Sequence, residues 1–186
     1  MTKFIPFLIV LLISSSVSAQ NLEDSLKVAE PEVKVAEPQI LDMDSYKINY
    51  PSNWRVKNGC ADANCSLLSP PDTVGGTSYD RFVENINIVY NKLSSSSYTV
   101  DKYADYSVSY LPKVVAGFKV IERKKLKSNV IRLTYKGEKN GFEQTWRQYY
   151  HVKAGKVYII TFAAETSKYE YFQPLVEEYL NSFIIK

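Results

Sequence analysis

Four consecutive segments, 118–126, 130–136, 143–152 and 156–163, carry strand patterns with little between them but turns. Lys139-Asn140-Gly141 and Ala154-Gly155 are hairpin sequences, because a tight two-residue turn needs left-handed backbone that Asn and Gly supply. The fourth segment is the most restrictive. Val157, Ile159 and Ala163 lie on one face, Tyr158, Ile160 and Phe162 on the other, and all are apolar. A strand apolar on both faces lies inside a sheet with a layer packed on each side. The chain is therefore expected to form a sandwich with helices over both faces. In the second segment Ile131, Leu133 and Tyr135 are expected to face the core, and Arg132, Thr134 and Lys136 to face out.

Upstream, Tyr46, Ile48 and Tyr50 alternate with Lys47 and Asn49 as a strand that Pro51 ends. Trp54 to Val56 continues it briefly, and Ser66 to Leu68 is a second short strand. Pro70-Pro71-Asp72 and Gly75-Gly76 make 69–80 a long loop. Phe82 to Tyr90 is a strong strand, with Phe82, Ile86, Ile88 and Tyr90 assigned to one face and Asn85 and Asn87 to the other. Thr99 has the character of an N-cap, with Asp101 in the first turn. Val100, Tyr103, Ala104, Ser107, Val108, Tyr110, Leu111 and Val114 then follow helical spacing, with Pro112 near the end. A last helix is expected from Ser167, with Glu170 completing a capping box. Its apolar stripe holds Phe172, Leu175, Val176, Tyr179, Leu180 and Phe183, and Pro174 is expected to open the main helix at its first position. Helices interspersed among hairpin-linked strands define an α+β fold, an α/β/α sandwich with a mainly antiparallel sheet.

The N-terminus carries an address. Lys3, an apolar run from Phe4 to Ile13 and the small residues Ser14 to Ala19 form a secretory signal peptide over residues 1–19. The run is half of what a bilayer span requires, about 20 residues. Residues 20–40 read as a flexible linker: Lys27-Val28-Ala29-Glu30-Pro31 recurs as Lys34-Val35-Ala36-Glu37-Pro38, and a Pro in each copy forbids a continuous helix. Residues 41–186 form the folded domain. The expected location is periplasmic or secreted, with no membrane span in the mature protein. Cys60 and Cys65, the two cysteines of the chain, would then meet oxidising conditions and form a local disulfide.

Little material for catalysis is present. The chain of 186 residues has one His, a net charge of +3 and 23 basic against 20 acidic side chains, which gives no basic stripe for nucleic acid. Gly-rich phosphate loops, the Gly-x-Ser-x-Gly elbow and calcium loops are missing from the sequence, and no cofactor or metal site is expected. Asp42 and Asp44 read as loop residues. His151 shares a strand face with Glu143, Thr145, Arg147 and Tyr149 and reads as a surface residue in a polar row; a role as general base would require a nucleophile or metal beside it. Arg123-Lys124-Lys125-Leu126-Lys127 is the densest charge run. If extended, it puts Arg123, Lys125 and Lys127 on one face, either as an acidic-partner surface or as a Lys-guarded sheet edge. Among 15 Tyr, Tyr106 lies off the main helical stripe and joins that basic row as a candidate partner surface.

The segment Tyr46-Lys47-Ile48-Asn49-Tyr50-Pro51-Ser52-Asn53-Trp54 resembles the opening strand of the PsbP-like fold, with its aromatic–Pro–x–x–Trp sequence. Phe82 to Val89 is similar to that family's central strand, including the Asn pair, and the closing Asn181-Ser182-Phe183-Ile184 also fits. The resemblance spans 41–186. The family holds the extrinsic PsbP subunit of photosystem II, a Ran-binding nuclear import factor and bacterial envelope proteins. It implies a non-catalytic binding or assembly module with no shared catalytic motif to carry over; the secretory address argues against transferring the photosystem or Ran roles. Three functional readings remain: an exported accessory protein that binds an envelope protein, a binder of a small apolar ligand or lipid in a pocket between sheet and helix, and an enzyme built around His151. N-terminal sequencing of the exported protein is expected to start at Gln20; a chain still starting at Met1 would overturn the cleaved-leader reading.

Overall fold

A computed structural model describes residues 38–71, 82–95 and 97–186. The leader, the linker up to residue 37 and most of the 69–80 loop lie outside the described residues. The strands are β1 (Pro38–Asp42), β2 (Tyr46–Pro51), β3 (Arg55–Val56), β4 (Asn64–Leu68), β5 (Asn85–Lys92), β6 (Ala116–Lys127), β7 (Val130–Lys139), β8 (Phe142–Lys153), β9 (Lys156–Glu165) and β10 (Ile184–Ile185). The helices are α1 (Val100–Tyr110), followed by a 3-10 turn at Leu111–Lys113, and α2 (Tyr169–Asn181). Seven strands form one sheet in the order β3-β4-β5-β9-β8-β7-β6, and β1-β2-β10 form a second, smaller one. Every pairing is antiparallel.

β9 sits between β5 and β8, and its two apolar faces feed two separate cores. Tyr158, Ile160 and Phe162 pack with Tyr46 and Ile48 of β2 and with Phe172, Val176 and Leu180 of α2. Val157 and Ala163 pack with Ile131, Leu133, Tyr135, Trp146 and Tyr150 beneath Val100 and Ala104 of α1. Each such side chain, fully withdrawn from water, stabilises the fold by about 1.5–3 kcal/mol before chain entropy is subtracted. The turns follow the sequence: Asn140 and Gly141 have φ of 55° and 80°, Ala154 and Gly155 51° and 72°. These positive angles match the right-handed strand twist. Thr99 caps α1 by accepting a bond from Lys102 N at 3.3 Å.

Several expectations need correction. Residues 38–40 belong to β1, which pairs with β2 (Pro38 opposite Pro51), so regular structure begins before Leu41. Asp42 ends β1 and pairs with Lys186 rather than lying in a loop. The two-stranded pairing at β10 and the split into two sheets had no periodic signal, because β10 has only two residues. Phe82 lies ahead of β5 and packs in the α1-side core, away from Ile86 and Ile88. Arg132 and Thr134 do not face water: α2 covers their face, and Thr134 is buried. The capping box does not form. Lys168 occupies the N-cap with no side-chain bond, because its N–H closes a turn on the Glu165 carbonyl at 3.0 Å and its ammonium pairs with Glu165. Pro174 lies inside α2. It removes the bond to the Glu170 carbonyl, but Glu170 and Pro174 are both exposed, so water takes over that carbonyl while the buried stripe is undisturbed.

Gly137 marks where β7 touches the start of β6. A Cβ there would meet Val115 Cγ1 at 2.5 Å and the Ala116 carbonyl at 2.6 Å. Backbone cannot yield as a side-chain tip does. Gly137→Ala is expected to destabilise the fold by about 1–3 kcal/mol in chemical denaturation, the usual range for overpacking; an unchanged midpoint would show that the β6–β7 approach is looser than described.

Candidate functional site

The α1 face carries a ladder of tyrosines leading from core to surface. Tyr150 of β8 is buried, and Tyr103 meets it edge-on at 5.4 Å. Tyr106 follows at 6.0 Å, and Tyr110 stacks on Tyr106 at 5.9 Å with an interplanar angle of 16°. The i, i+3 and i+4 spacing places these rings on one side of the helix. Tyr106 and Tyr110 are 51% and 44% exposed, and Val114 beyond the helix is 42% exposed. Beside the end of α1 lies a hollow of about 360 Å³ whose walls include Leu111, Val114, Val115 and Phe82 and whose sheet floor includes Asn85, Asn87, Gln144, Gln148 and Thr161. Some floor groups are already paired: Gln148 donates to Thr161 Oγ1 at 3.1 Å, and Ser66 Oγ bonds Asn87 at 3.0 Å.

The basic run lies on β6, the sheet edge, as one of its two readings required. Its alternation, however, fails. Arg123 lies opposite Leu133 and Lys125 opposite Ile131, both on the α1 face, where they pair with Asp105 at 2.6 Å and Asp101 at 2.7 Å. The register then shifts, and Lys127 lies opposite Val130, whose side chain belongs to the α2-side core. The extra residue, Leu126, is a β-bulge, and bulges re-aim the side chains that follow them. The structure thus separates Lys127 from Arg123 and Lys125. The Asp101 carboxyl, held by Lys125, lies below its ordinary value. Exposed pairs of this kind contribute little, because water screens them.

A denser polar cluster, not anticipated, joins α2 to the sheet. Glu177 accepts from Arg132 at 3.0 Å, from Tyr149 at 3.0 Å, from Gln173 at 2.9 Å and from Arg147. Arg132 also makes a two-pronged contact with Glu122 at 2.9 and 3.1 Å, and the Arg147 guanidinium lies 5.9 Å from the Tyr169 ring centre. Burial raises the Glu177 carboxyl, but Gln173, Arg147 and Tyr149 outweigh it and hold the group below its ordinary value. The sequence signal was present in Arg132 and Arg147, two alternating positions on neighbouring strands, and in Glu177 set next to the buried Val176. The Glu177 carboxylate is fully engaged and pins the helix, although Arg147 Nε has no hydrogen-bond partner among the described residues.

His151 is not the surface residue expected. Its ring lies 5.1 Å from Phe183 and 6.4 Å from Tyr149, covered by the C-terminal segment. Nε2 is enclosed with no hydrogen-bond partner. Burial first, and the Lys127 ammonium second, push the imidazole down to about 4. His151 lines a cleft of about 250 Å³ with Lys127, Asn129 and Lys153 on one side and Leu180, Asn181 and Phe183 on the other. Among the described residues no group of three or more His, Cys, Asp and Glu could hold a metal ion. Cys60 and Cys65 form a disulfide, Cα–Cα 4.4 Å, at the tip of the β3–β4 hairpin. With a sequence separation of 5 it closes a short loop, a contribution of about 2 kcal/mol. Asp62 within that tip accepts from Ser45 N at 2.9 Å and ties it to the small sheet.

Two helices on opposite faces of a meandering antiparallel sheet, with a small sheet beside the second helix, define an α/β/α sandwich. No protein-family model and no curated protein matches the chain. Solved structures do. PsbP (CyanoP) from Synechocystis superposes with a TM-score of 0.56 at 14% identity, covering 83% of this chain and 96% of that one. LpqN of Mycobacterium tuberculosis, involved in cell envelope biogenesis, gives 0.55 at 14% identity over 81% and 91%. A Pseudomonas aeruginosa protein of unknown function gives 0.57 at 14% identity over 81% and 99%. The fold is PsbP-like. At these identities the likeness is one of fold and carries no activity with it.

Among the described residues no helix is long and apolar enough to cross a membrane. The disulfide fits an exported protein. As the chain's one His, His151 can be titrated directly by NMR. Its imidazole is expected to protonate near 4, well below 6.5. A base depressed in the folded state leaves the unfolded chain holding more protons between those values, so its stabilisation is complete above 6.5 and is lost as pH falls through the window to about 4. The loss is about 3 kcal/mol at most. A midpoint near 6.5 would contradict the covered position.

Proposed function

We propose that this chain is an exported accessory protein of the cell envelope that works by protein–protein contact, with α1 as its contact face. The observation that carries the reading is the stacked Tyr106–Tyr110 pair, two half-exposed rings braced from beneath by Tyr103 and Tyr150. Rigid aromatic rings gain contact area on binding while losing little side-chain entropy, and contact energy concentrates on such residues. Val114 and the amide-floored hollow extend the same face, so a partner side chain could seat beside the rings. The likeness to LpqN and the disulfide support an envelope setting. The leader over residues 1–19 and the linker behind it would deliver the domain across the membrane and give it reach.

Of the earlier partner candidates, Tyr106 remains central. Arg123 and Lys125 act within the chain by holding α1 on β6, and any role toward a partner would be through their exposed flanks. A His151 general base is disfavoured by its enclosure. The experiment is affinity capture from the protein's own envelope. Wild type is expected to retain a specific partner. Tyr106→Ala combined with Tyr110→Ala should reduce its recovery at least tenfold, about 1.4 kcal/mol or more, with an unchanged melting temperature. Tyr171→Ala, an exposed ring on α2, should leave recovery unchanged. Equal recovery by the double variant would overturn the α1 reading.

A further inference from the structure

We propose that the cleft at the C-terminal end of α2 binds a small amphiphilic carboxylate, an anionic head on a short apolar chain. This goes beyond the contact-face reading and does not rest on it: the cleft lies on the opposite side of the sheet. Three segments distant in sequence build it, the β6–β7 turn, β8 and the end of α2 with the residues that follow. Its lining is divided. Lys127, His151 and Lys153 supply the polar end, and Leu126, Leu180 and Phe183 the apolar one.

Three observations select an anion. First, the enclosed Nε2 of His151 has no partner, and a buried polar atom without one marks a place where a ligand or water belongs. Second, Lys127 makes no ion pair among the described residues, although it lies close enough to depress the imidazole. Third, Lys127 reaches this side only because of the bulge at Leu126; regular alternation would have left it with Lys125 on the other face. Two further charged groups near His151 are already engaged. Lys153 of β8 bonds the carbonyl of Ile185 at 3.1 Å and Lys186 O at 3.4 Å. Glu177 of α2, reached through Tyr149, is committed to Arg132 and Arg147. The helix end is blunted, since Ser182 Oγ donates to the Tyr179 carbonyl at 2.7 Å. A carboxylate entering the cleft would pair with the Lys127 ammonium beside the His151 ring, and its chain would lie along Leu180 and Phe183. A volume of about 250 Å³ suits a short chain and not a two-tailed lipid.

The test uses the full domain, with octanoate as the probe and octanol and acetate as controls. The lone imidazole gives the readout by NMR, and calorimetry gives the affinity. Octanoate is expected to shift the His151 resonances saturably and to raise the imidazole's titration midpoint. Octanol, lacking the charge, and acetate, lacking the chain, should each bind at least about tenfold more weakly. Lys127→Met, at an exposed position, should weaken octanoate by about tenfold or more without changing the melting temperature. Unmoved His151 signals, equal affinity for octanol, or wild-type affinity in Lys127→Met would each overturn the proposal.

Discussion

The strand with two apolar faces governs this molecule. β9 cannot be left with either face in water, since each carries large side chains whose exposure would forfeit several kcal/mol. Two cores must therefore exist, one on each side, and each needs a cover. α1 supplies one; α2 and the small sheet around β2 supply the other. The antiparallel meander β6-β7-β8-β9 follows from the short turns, and β5 completes the pairing on the far side of β9. With Ile86 and Ile88 also buried in the core shared by β2 and α2, the centre of the sheet lies at the β5–β9 pair rather than at the hairpins alone.

The two covers are held by different physics. On the α1 side, the ion pairs of Asp101 and Asp105 with β6 are exposed and weak, so the helix stays because Val100, Ala104 and Tyr103 are packed. On the α2 side, two guanidiniums and a carboxylate are drawn partly out of water. Such a cluster adds little over an apolar equivalent, but removing one member strands its partners, a penalty of about 3–5 kcal/mol when fully buried. The consequence is geometric. Glu177 fixes where α2 lies over β7 and β8, and that placement determines where the helix ends and the His151 cleft begins.

The fold was legible wherever it rested on a period. β7 to β9, their turns, α1 with its Thr99 cap and the apolar stripe of α2 all stand close to their expected places, because alternation and helical spacing report burial directly. The losses came from features without a period. β10 has two residues and β3 two, lengths that pairing rather than pattern decides. The Ser167 cap failed because a hydrogen-bonded turn on Glu165 competes for the same backbone. Polar residues misled most. Arg132, Arg147 and His151 read as solvent-facing by type, whereas a helix and the C-terminal segment cover them. A charge that has found a partner cannot be told from a solvated one in a single sequence. The bulge at Leu126 is likewise invisible, yet it alone moves Lys127 across the sheet.

The hollows themselves follow from a mismatch in element length. An α1 of 11 residues is about 16 Å long, whereas a β8 of 12 residues extends about 40 Å. Neither helix can roof the strands from end to end. Where α1 stops, a hollow lies over Asn85, Asn87 and Gln148; where α2 stops, a cleft lies beside Lys127 and Lys153, with the His151 ring in its wall under Phe183. The fold thus supplies two recesses on opposite faces whatever the protein does, and chemistry enters only through the side chains at those uncovered ends. Amides beside a rigid tyrosine stack suit a surface that meets another protein, whereas an unpartnered imidazole beside a redirected lysine suits a small anion. One scaffold can serve both uses, because the central strand keeps the two recesses apart.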